Sequence, residues 1–348
     1  MSQQRSFIPA EQAQAPFFVG IDLGGTNIKV GVVDDLGRPL SWLSVPTEPK
    51  KGPEDASARM GQAVLDAIAK AGLDLSAIAR VGLGSPGTMD IPAGMLIEPV
   101  NLRGENGDEW NNFPIRDRVA HHCGLPTSFA NDAAAAAYGE FWVGSGRELS
   151  SLVLFTLGTG IGCGIIIGGV SIDGENSHGA ECGHIVVNDA DDARLCGCGQ
   201  PGHLEAYASA TAVIKRTREL LDAGRSSSLV DRLNNGDKLT PKLIGAEAEA
   251  GDELSLEIIM EVARYMGVGT VNLMHTVDPS GVLFGGAMTF GRNATELGRQ
   301  FLARIKQEID RRAFTVLAER IVLDYASLGG DAGYIGAAGI ARADHTSS

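Results

Sequence analysis

Basic residues are scarce in this 348-residue sequence, which has 29 Lys and Arg against 43 Asp and Glu. The formal net charge of −14 repels phosphate backbones and anionic lipid surfaces, so nucleic acid and membranes are disfavoured as partners. An anionic ligand must therefore be held locally, by backbone N–H groups, a metal ion or a few basic side chains.

Cysteine and long hydrophobic runs are scarce as well. Five cysteines do not make a disulfide framework in a chain of this length, and two of them, Cys196 and Cys198, are one residue apart. No apolar run approaches the ~20 residues that a membrane span requires, and the opening segment lacks the apolar stretch of a signal peptide. We expect a cytoplasmic protein whose residues 1–16 form a disordered lead.

Hydrophobic patterning predicts alternating strands and helices, which is typical of an α/β architecture. The predicted strands are 17–22, 27–34, 38–46, 80–84, 127–130, 151–157, 161–168, 281–284 and 321–324. The predicted helices are 53–70, 114–124, a segment after 132, 204–223, 240–250, 252–277, 293–311 and 331–343. The stretch 85–113 is interpreted as a long functional loop. A strand, a glycine turn and a second strand open the chain and recur at 151–168, which suggests two related domains.

Glycine is abundant, at 46 residues or about 13% of the chain against a usual ~7%, and it is concentrated in short loops. Gly24 and Gly25 would let backbone N–H groups approach a phosphate, while Thr26 adds a hydroxyl and Asp22 could hold Mg²⁺ or its waters. The same device recurs at 157–164. Each loop alone could be an ordinary hairpin, but the pair favours a phosphate clamp. Gly285-Gly286 either admits an adenine ring or forms a plain turn.

Two common nucleotide-binding patterns do not apply. No G-x-x-x-x-G-K-[ST] sequence occurs, which excludes the P-loop mechanism. Residues 82–87 have the G-x-G-x-x-G spacing, but Pro86 interrupts it and no helix is predicted behind it. A dinucleotide-dependent dehydrogenase is therefore disfavoured.

Asn131-Asp132 lies where a strand ends and an alanine-rich helix begins. Either residue could simply cap that helix. Asp132 also occupies the carboxyl end of a strand, where open sheets place their ligands, and it could accept a proton from a substrate hydroxyl.

A possible metal site follows in the sequence. His184, Cys196, Cys198 and His203 supply two thiolates and two imidazoles, a set suited to tetrahedral zinc, although unpaired thiols and unrelated histidines are the alternative. Glu181 and Glu205 flank this segment. They are either solvated acids or acceptors held towards the hydroxyls of a polyol.

Together these residues resemble the ROK family of sugar kinases and repressors, within the actin-like ATPase superfamily, from about Phe17 to Ala343. The family signature is matched by 160–164, Gly174 and 181–184, and its cysteine-rich element by Cys196, Cys198, Gly199, Gly202 and Glu205. His203 replaces the third cysteine of that element. The resemblance implies a two-domain ribonuclease H-like fold with a cleft between the domains. We expect a smaller α/β domain at 17–130, completed by helix 331–343, and a larger α/β domain with the zinc loop at 131–330.

The resemblance also implies roles for these residues, and the context His203-Leu204-Glu205-Ala206-Tyr207-Ala208-Ser209 is most similar to the glucokinases of the family. The expected reaction is transfer of the γ-phosphoryl group of ATP to the 6-hydroxyl of glucose, with Mg²⁺ and a structural Zn²⁺, by a homodimer. Asp132 is the expected catalytic base, and the expected sugar contacts are Gly87, Asn101, Asn131, Asp132, Glu181, His184 and Glu205. The expected nucleotide contacts are Asp22, Gly24, Gly25, Thr26, Lys29, Gly158, Thr159, Gly160, Gly285 and Gly286.

Two alternatives share much of this pattern. A kinase for N-acetylmannosamine, N-acetylglucosamine or fructose would use the same residues. A sugar-responsive repressor would carry a helix-turn-helix domain of roughly 60 to 80 residues ahead of the first glycine hairpin. Only sixteen residues precede Phe17 here, so the repressor is disfavoured.

Overall fold

The computed structural model describes residues 5–99, 102, 104, 105, 107 and 109–347. Its contacts divide the chain into two compact units. The first contains the described residues of Met1–Glu148, Gly164–Ala180 and Leu328–Ser348, and the second contains Leu149–Cys163 and Glu181–Ser327. Within the described part of the chain, no helix combines the length and apolar character needed to cross a membrane.

Strands and helices alternate along most of the chain, which confirms the predicted α/β class. The strands are β1 Phe17–Leu23, β2 Asn27–Val33, β3 Pro39–Pro46, β4 Ile78–Ser85, β5 Thr88–Asp90, β6 Met95–Glu98, β7 Thr127–Asn131, β8 Ser151–Leu157, β9 Ile161–Ile167, β10 Val170–Ser171, β11 Gly281–Gly286 and β12 Val322–Tyr325. The α-helices are α1 Gly52–Lys70, α2 Ile115–Cys123, α3 Asp132–Trp142, α4 Glu205–Ala208, α5 Ala210–Asp222, α6 Leu229–Asn234, α7 Pro241–Glu249, α8 Glu253–Val277, α9 Glu296–Arg312, α10 Thr315–Arg320 and α11 Ala332–Ser347.

The first unit is built on a sheet with the strand order β3-β2-β1-β4-β7. Strands β1 to β3 form an antiparallel meander, whereas β4 runs parallel to β1 and β7 runs parallel to β4. Side chains alternate between the two faces of β1. Val19 belongs to a core cluster with Met60 of α1, while Phe18 packs in a second cluster with Tyr334 of α11. Burial of both faces explains why β1 is an almost continuous apolar run.

The second five-stranded sheet has the order β10-β9-β8-β11-β12. Strand β11 runs parallel to both β8 and β12. Each sheet therefore contains a hairpin, β1–β2 or β8–β9, followed on one side by two parallel strands. This matching order confirms the repetition expected from the sequence.

The predicted elements differ from the observed ones mainly in short segments. The stretch 85–113 contains the antiparallel pair β5 and β6. The predicted helix 204–223 is two helices, because Ser209 has an extended backbone and its hydroxyl caps α5 by accepting a hydrogen bond from the Ala212 N–H. The short helices α6 and α10 were missed.

The expected disordered lead is wrong for residues 5–16, and residues 1–4 lie outside the described part of the chain. Arg5 forms an ion pair with Asp331, and its guanidinium carbon lies 3.6 Å from the centre of the Trp42 ring. The Ile8 N–H donates to the Pro39 carbonyl, which ties the segment to β3. Backbone and charge contacts therefore order a stretch that has few large apolar side chains.

The contact-based units also divide the chain differently from the expected domains. Helix α3 was expected in the larger domain, but it belongs to the first unit with α11. The reason is close packing between small residues, since a Cβ at Gly139 would meet the Ala332 oxygen at 2.7 Å and one at Gly336 would overlap the Ala135 carbonyl. The C-terminal helix α11 belongs to the first unit.

Candidate active site

The first glycine hairpin connects β1 to β2. The Gly24 N–H donates to the Asn27 carbonyl, and the Thr47 hydroxyl donates to the Gly24 carbonyl. Gly25, Thr26 and Asn27 are exposed at the tip. These bonds fix the turn while its tip remains open to a ligand, as a phosphate loop requires.

Asp22 and Lys29 face each other across this hairpin. The Lys29 ammonium lies 2.9 Å from Asp22 Oδ2 and 3.0 Å from the Gly330 carbonyl, just before α11. Asp22 is therefore already neutralised on one oxygen, which leaves its other oxygen for a cation or for water bound to one. Lys29 holds the carboxylate in place.

Strand register brings the Asn131-Asp132 pair to the same sheet edge as Asp22. Asp22 pairs with Gly84 of β4, and Gly84 in turn pairs with Ala130 of β7. Adjacent strands lie about 4.8 Å apart, so Asp22 and Ala130 are about 10 Å apart across the parallel strands. Asp132 begins the helix just beyond, at the carboxyl edge where α/β sheets bind ligands.

The structure separates the two roles considered for Asn131 and Asp132. Asn131 is the helix cap, because its Oδ1 accepts hydrogen bonds from Ala133 N at 2.8 Å and Ala134 N at 3.3 Å. Asp132 Oδ1 accepts from the same Ala133 N–H at 2.8 Å. The capping function thus rests on Asn131, and Asp132 is not required as the N-cap.

Gly87 has a structural reason to be glycine. Its φ is +97°, and a Cβ there would approach Pro99 Cα at 2.5 Å. The third glycine of the G-x-G-x-x-G spacing thus serves a tight backbone contact, and β5 rather than a helix follows it. Asn101, the other expected sugar contact of this region, lies outside the described residues.

The second glycine hairpin connects β8 to β9 in the second unit. The Gly158 N–H donates to the Gly160 carbonyl. The start of α5 also holds the hairpin, because the Ala210 N–H donates to the Gly158 carbonyl and the Thr211 hydroxyl donates to the Thr159 carbonyl. Parallel pairing places Gly286 beside Leu157, so the end of β11 adjoins this hairpin. The structure therefore brings the second and third glycine elements together.

Four predicted metal ligands converge in the second unit. One ligand atom from each of His184, Cys196, Cys198 and His203 lies within 4.8 Å of the others. His184 Nδ1 is 3.2 Å from His203 Nδ1 and 3.7 Å from Cys196 Sγ, and Cys198 Sγ is 3.3 Å from His203 Nδ1. Tetrahedral zinc would separate two nitrogens by about 3.3 Å and a nitrogen from a sulfur by about 3.6 Å. The donor set and its spacing fit such an ion.

The electrostatic surroundings of these side chains are consistent with a metal site. Burial raises the pKa of the Cys196 thiol to about 11, and the Cys198 side chain and the Glu205 carboxylate act in the same direction, while a hydrogen bond from the Cys198 backbone opposes them. Burial, followed by the neighbouring His184, lowers the pKa of His203. A neutral imidazole is ready to bind a metal, whereas the Cys196 thiolate requires a cation to stabilise it.

Glu205 connects the cluster to the second glycine hairpin. Its Oε2 accepts a hydrogen bond from the Ile161 N–H at 2.9 Å, and its Oε1 lies 3.5 Å from Cys196 Sγ. A Cβ at Gly160 would overlap the same carboxylate. Glu181, in contrast, is an exposed residue that begins the turn leading to His184.

The sequence analysis missed several side chains that hold these loops. Thr47 and Thr211 bond hairpin carbonyls, and Tyr207 accepts two hydrogen bonds from the segment between the predicted metal ligands. Serine is a preferred N-cap residue, so Ser209 could have indicated the start of α5 and hence Thr211. The contacts of Thr47 and Tyr207 depend on tertiary structure and leave no local signal.

Two sheets of matching strand order, each with a glycine hairpin, define an α/β protein of the actin-like ATPase fold. Within that fold the chain belongs to the ROK family, whose model matches residues 18–344.

The relatives are similar over nearly their full length. The crystal structure of a ROK hexokinase from Thermus thermophilus is 31% identical, has a TM-score of 0.79 and covers 95% of this chain and 100% of its own. A ROK family glucokinase from Streptomyces griseus, in complex with glucose and AMPPNP, is 33% identical, has a TM-score of 0.73 and covers 94% of this chain and 99% of its own. A glucokinase from Halalkalibacterium halodurans is 31% identical over 320 residues, 92% of this chain and 93% of that protein.

Proposed function

We propose that this chain is a glucokinase that transfers the γ-phosphoryl group of ATP to the 6-hydroxyl of glucose. The observation that carries the proposal is the shared sheet edge of Asp22, with its glycine hairpin, and Asp132. A carboxylate beside a phosphate-binding turn suits phosphoryl transfer to a hydroxyl. The glucokinase relatives favour glucose as the acceptor.

In the proposed reaction Asp132 accepts the proton of the sugar hydroxyl as that oxygen bonds to phosphorus and the bond to the leaving ADP oxygen breaks. Asn131 uses Oδ1 as a helix cap, so it would contact the sugar through its amide Nδ2. We assign nucleotide contacts to the N–H groups of Gly24 and Gly25 in the first unit and, separately, to those of 158–160 and of Gly285-Gly286 in the second. Asp22, oriented by Lys29, would hold Mg²⁺, which supplies neutralisation of phosphate charge.

We further propose that zinc occupies the Cys/His cluster in a structural role, since four protein ligands leave no open coordination position. His184 directs Nδ1 to the cluster, so its Nε2 is the atom that would contact the sugar. Glu205 is held by the Ile161 N–H, and Glu181 precedes His184 by one turn. Zinc bound to this cluster would thus fix His184 directly, and through it the neighbouring Glu181 and Glu205.

Elemental analysis is expected to find about one zinc per chain, and Cys198→Ser should lose metal and glucose affinity together, because a hydroxyl is a poor substitute for a thiolate. Cys123→Ala is the matched control, since that buried cysteine lies on α2 in the first unit. Glucose affinity that survives in the metal-free Cys198→Ser chain would contradict the role given to zinc.

The substrate is tested by ADP release with ATP and Mg²⁺ against glucose, mannose, fructose, N-acetylmannosamine and N-acetylglucosamine. We expect the highest kcat/KM on glucose. Comparable values on all five sugars would refute the glucokinase assignment and leave a broader sugar kinase. If none of the five sugars stimulates ADP release, the assignment as a sugar kinase is refuted. The homodimer and the cytoplasmic location remain predictions, the first to be checked by sedimentation.

A further inference from the structure

The metal loop, residues 184–203, has little apolar packing of its own. Most side chains from Asp189 to Pro201 are exposed, and Leu195 is 66% exposed. Cys196 is the buried residue of that stretch. Polar contacts therefore carry most of the ordering of the loop by the protein itself, because burial of apolar surface contributes little there.

One hydroxyl outside the loop bonds to it at two points. Tyr207 Oη accepts a hydrogen bond from Asn188 Nδ2 at 2.9 Å and another from the Arg194 N–H at 2.8 Å. These two partners lie on either side of residues 189–193, of which 189–192 are exposed. The Tyr207 hydroxyl thus holds the two ends of segment 189–193 together and fixes Arg194, two residues before Cys196.

Arg194 is held from its other side as well. Its carbonyl accepts a hydrogen bond from the Gly202 N–H, one residue before His203. Arg194 thus connects Tyr207 to Gly202, which precedes His203, and it lies two residues before Cys196. The Arg194 guanidinium also pairs with Glu219, but that ion pair is partly exposed and such pairs add little.

Tyr207 itself is rigidly placed. It is 4% exposed, and its ring centre lies 4.3 Å from the ring centre of Tyr265 on α8. The Arg264 guanidinium lies over the Tyr265 ring. A buried ring fixed by a long helix gives the hydroxyl a defined position. The hydrogen-bond donors of Asn188 and Arg194 therefore bond to a hydroxyl whose position is fixed.

We propose that Tyr207 is a positioning residue for the metal site: its hydroxyl preorganises the loop so that Cys196, Cys198 and His203 are placed for zinc. This inference rests on the proposed zinc site. Residues that orient metal ligands from behind typically change metal affinity by roughly 10- to 100-fold when they are removed.

The test compares the full-length wild-type chain with Tyr207→Phe, which removes the hydroxyl and keeps the stacked ring. Chelator competition should show zinc binding weakened by roughly 10- to 100-fold. At limiting zinc the KM for glucose should rise, and saturating zinc should restore it with kcat unchanged. Tyr325→Phe is the matched control, because it removes a buried hydroxyl that donates to Gly298 O at 2.7 Å elsewhere in the second unit.

Three outcomes would overturn the inference. Wild-type zinc affinity in Tyr207→Phe would do so, as would an equal loss in Tyr325→Phe, and so would a raised KM that zinc does not restore. If Tyr207→Phe fails to fold, Asn188→Ala removes one of the two donors and should weaken zinc in the same direction. If the wild-type chain binds no zinc, both the zinc site and this role of Tyr207 are refuted. If the chain binds zinc but has no kinase activity, only the proposed reaction is refuted.

Discussion

Asp132→Asn is expected to lower kcat by roughly 10²- to 10⁴-fold, the usual contribution of a positioned general base. Asparagine cannot accept the proton of the sugar hydroxyl, but its amide oxygen can still accept the hydrogen bond that Asp132 accepts from Ala133 N. The start of α3 should therefore remain intact, since Asn131 supplies the cap. The measurement is ADP release at saturating glucose and ATP.

Asp252→Asn is the matched control for that substitution. Asp252 caps α8 by accepting from the Ser255 N–H, and asparagine caps helices about as well as aspartate. This variant removes a carboxylate from a helix start without touching a proposed ligand contact, so kcat should not change. A wild-type kcat in Asp132→Asn would remove Asp132 from the role of base, and an equal loss in Asp252→Asn would point to a general charge effect.

The sequence was sufficient to predict elements that have strong local signals. Apolar runs bounded by glycine turns predicted β1 and β2, and the repeated pattern predicted β8 and β9. Interruptions and short elements were harder. The break between α4 and α5 depends on a single hydroxyl cap at Ser209. The ordered conformation of residues 5–16 depends in part on the ion pair between Arg5 and Asp331, which are more than 300 residues apart in sequence.

The candidate site shows the same division. Side-chain chemistry and close spacing were enough to group His184, Cys196, Cys198 and His203, which the structure brings together. The link from Glu205 to the Ile161 N–H could not be predicted in this way, because the two residues are 44 positions apart and lie on different elements. Residues that act through backbone N–H groups leave little trace in side-chain patterns.

A row of three glycines in the first sheet shows another constraint that composition alone does not explain. Register places Gly31 of β2, Gly20 of β1 and Gly82 of β4 side by side. A Cβ at Gly20 would overlap the Tyr334 carbonyl, and one at Gly82 would overlap the Ala337 carbonyl. Helix α11 therefore packs directly on the sheet backbone, which explains the first glycine of the G-x-G-x-x-G spacing without a nucleotide.

Gly82→Ala is accordingly expected to destabilise the first unit by about 3 kcal/mol or more, at or above the upper end of overpacking costs, because the overlap is with helix backbone that cannot rotate away. The expected result is a lower midpoint of thermal unfolding and a reduced folded yield. Gly330→Ala adds the same methyl group where no atom lies within 4 Å, so its midpoint should match the wild type. Equal midpoints for all three chains would mean that α11 does not rest on the glycine row.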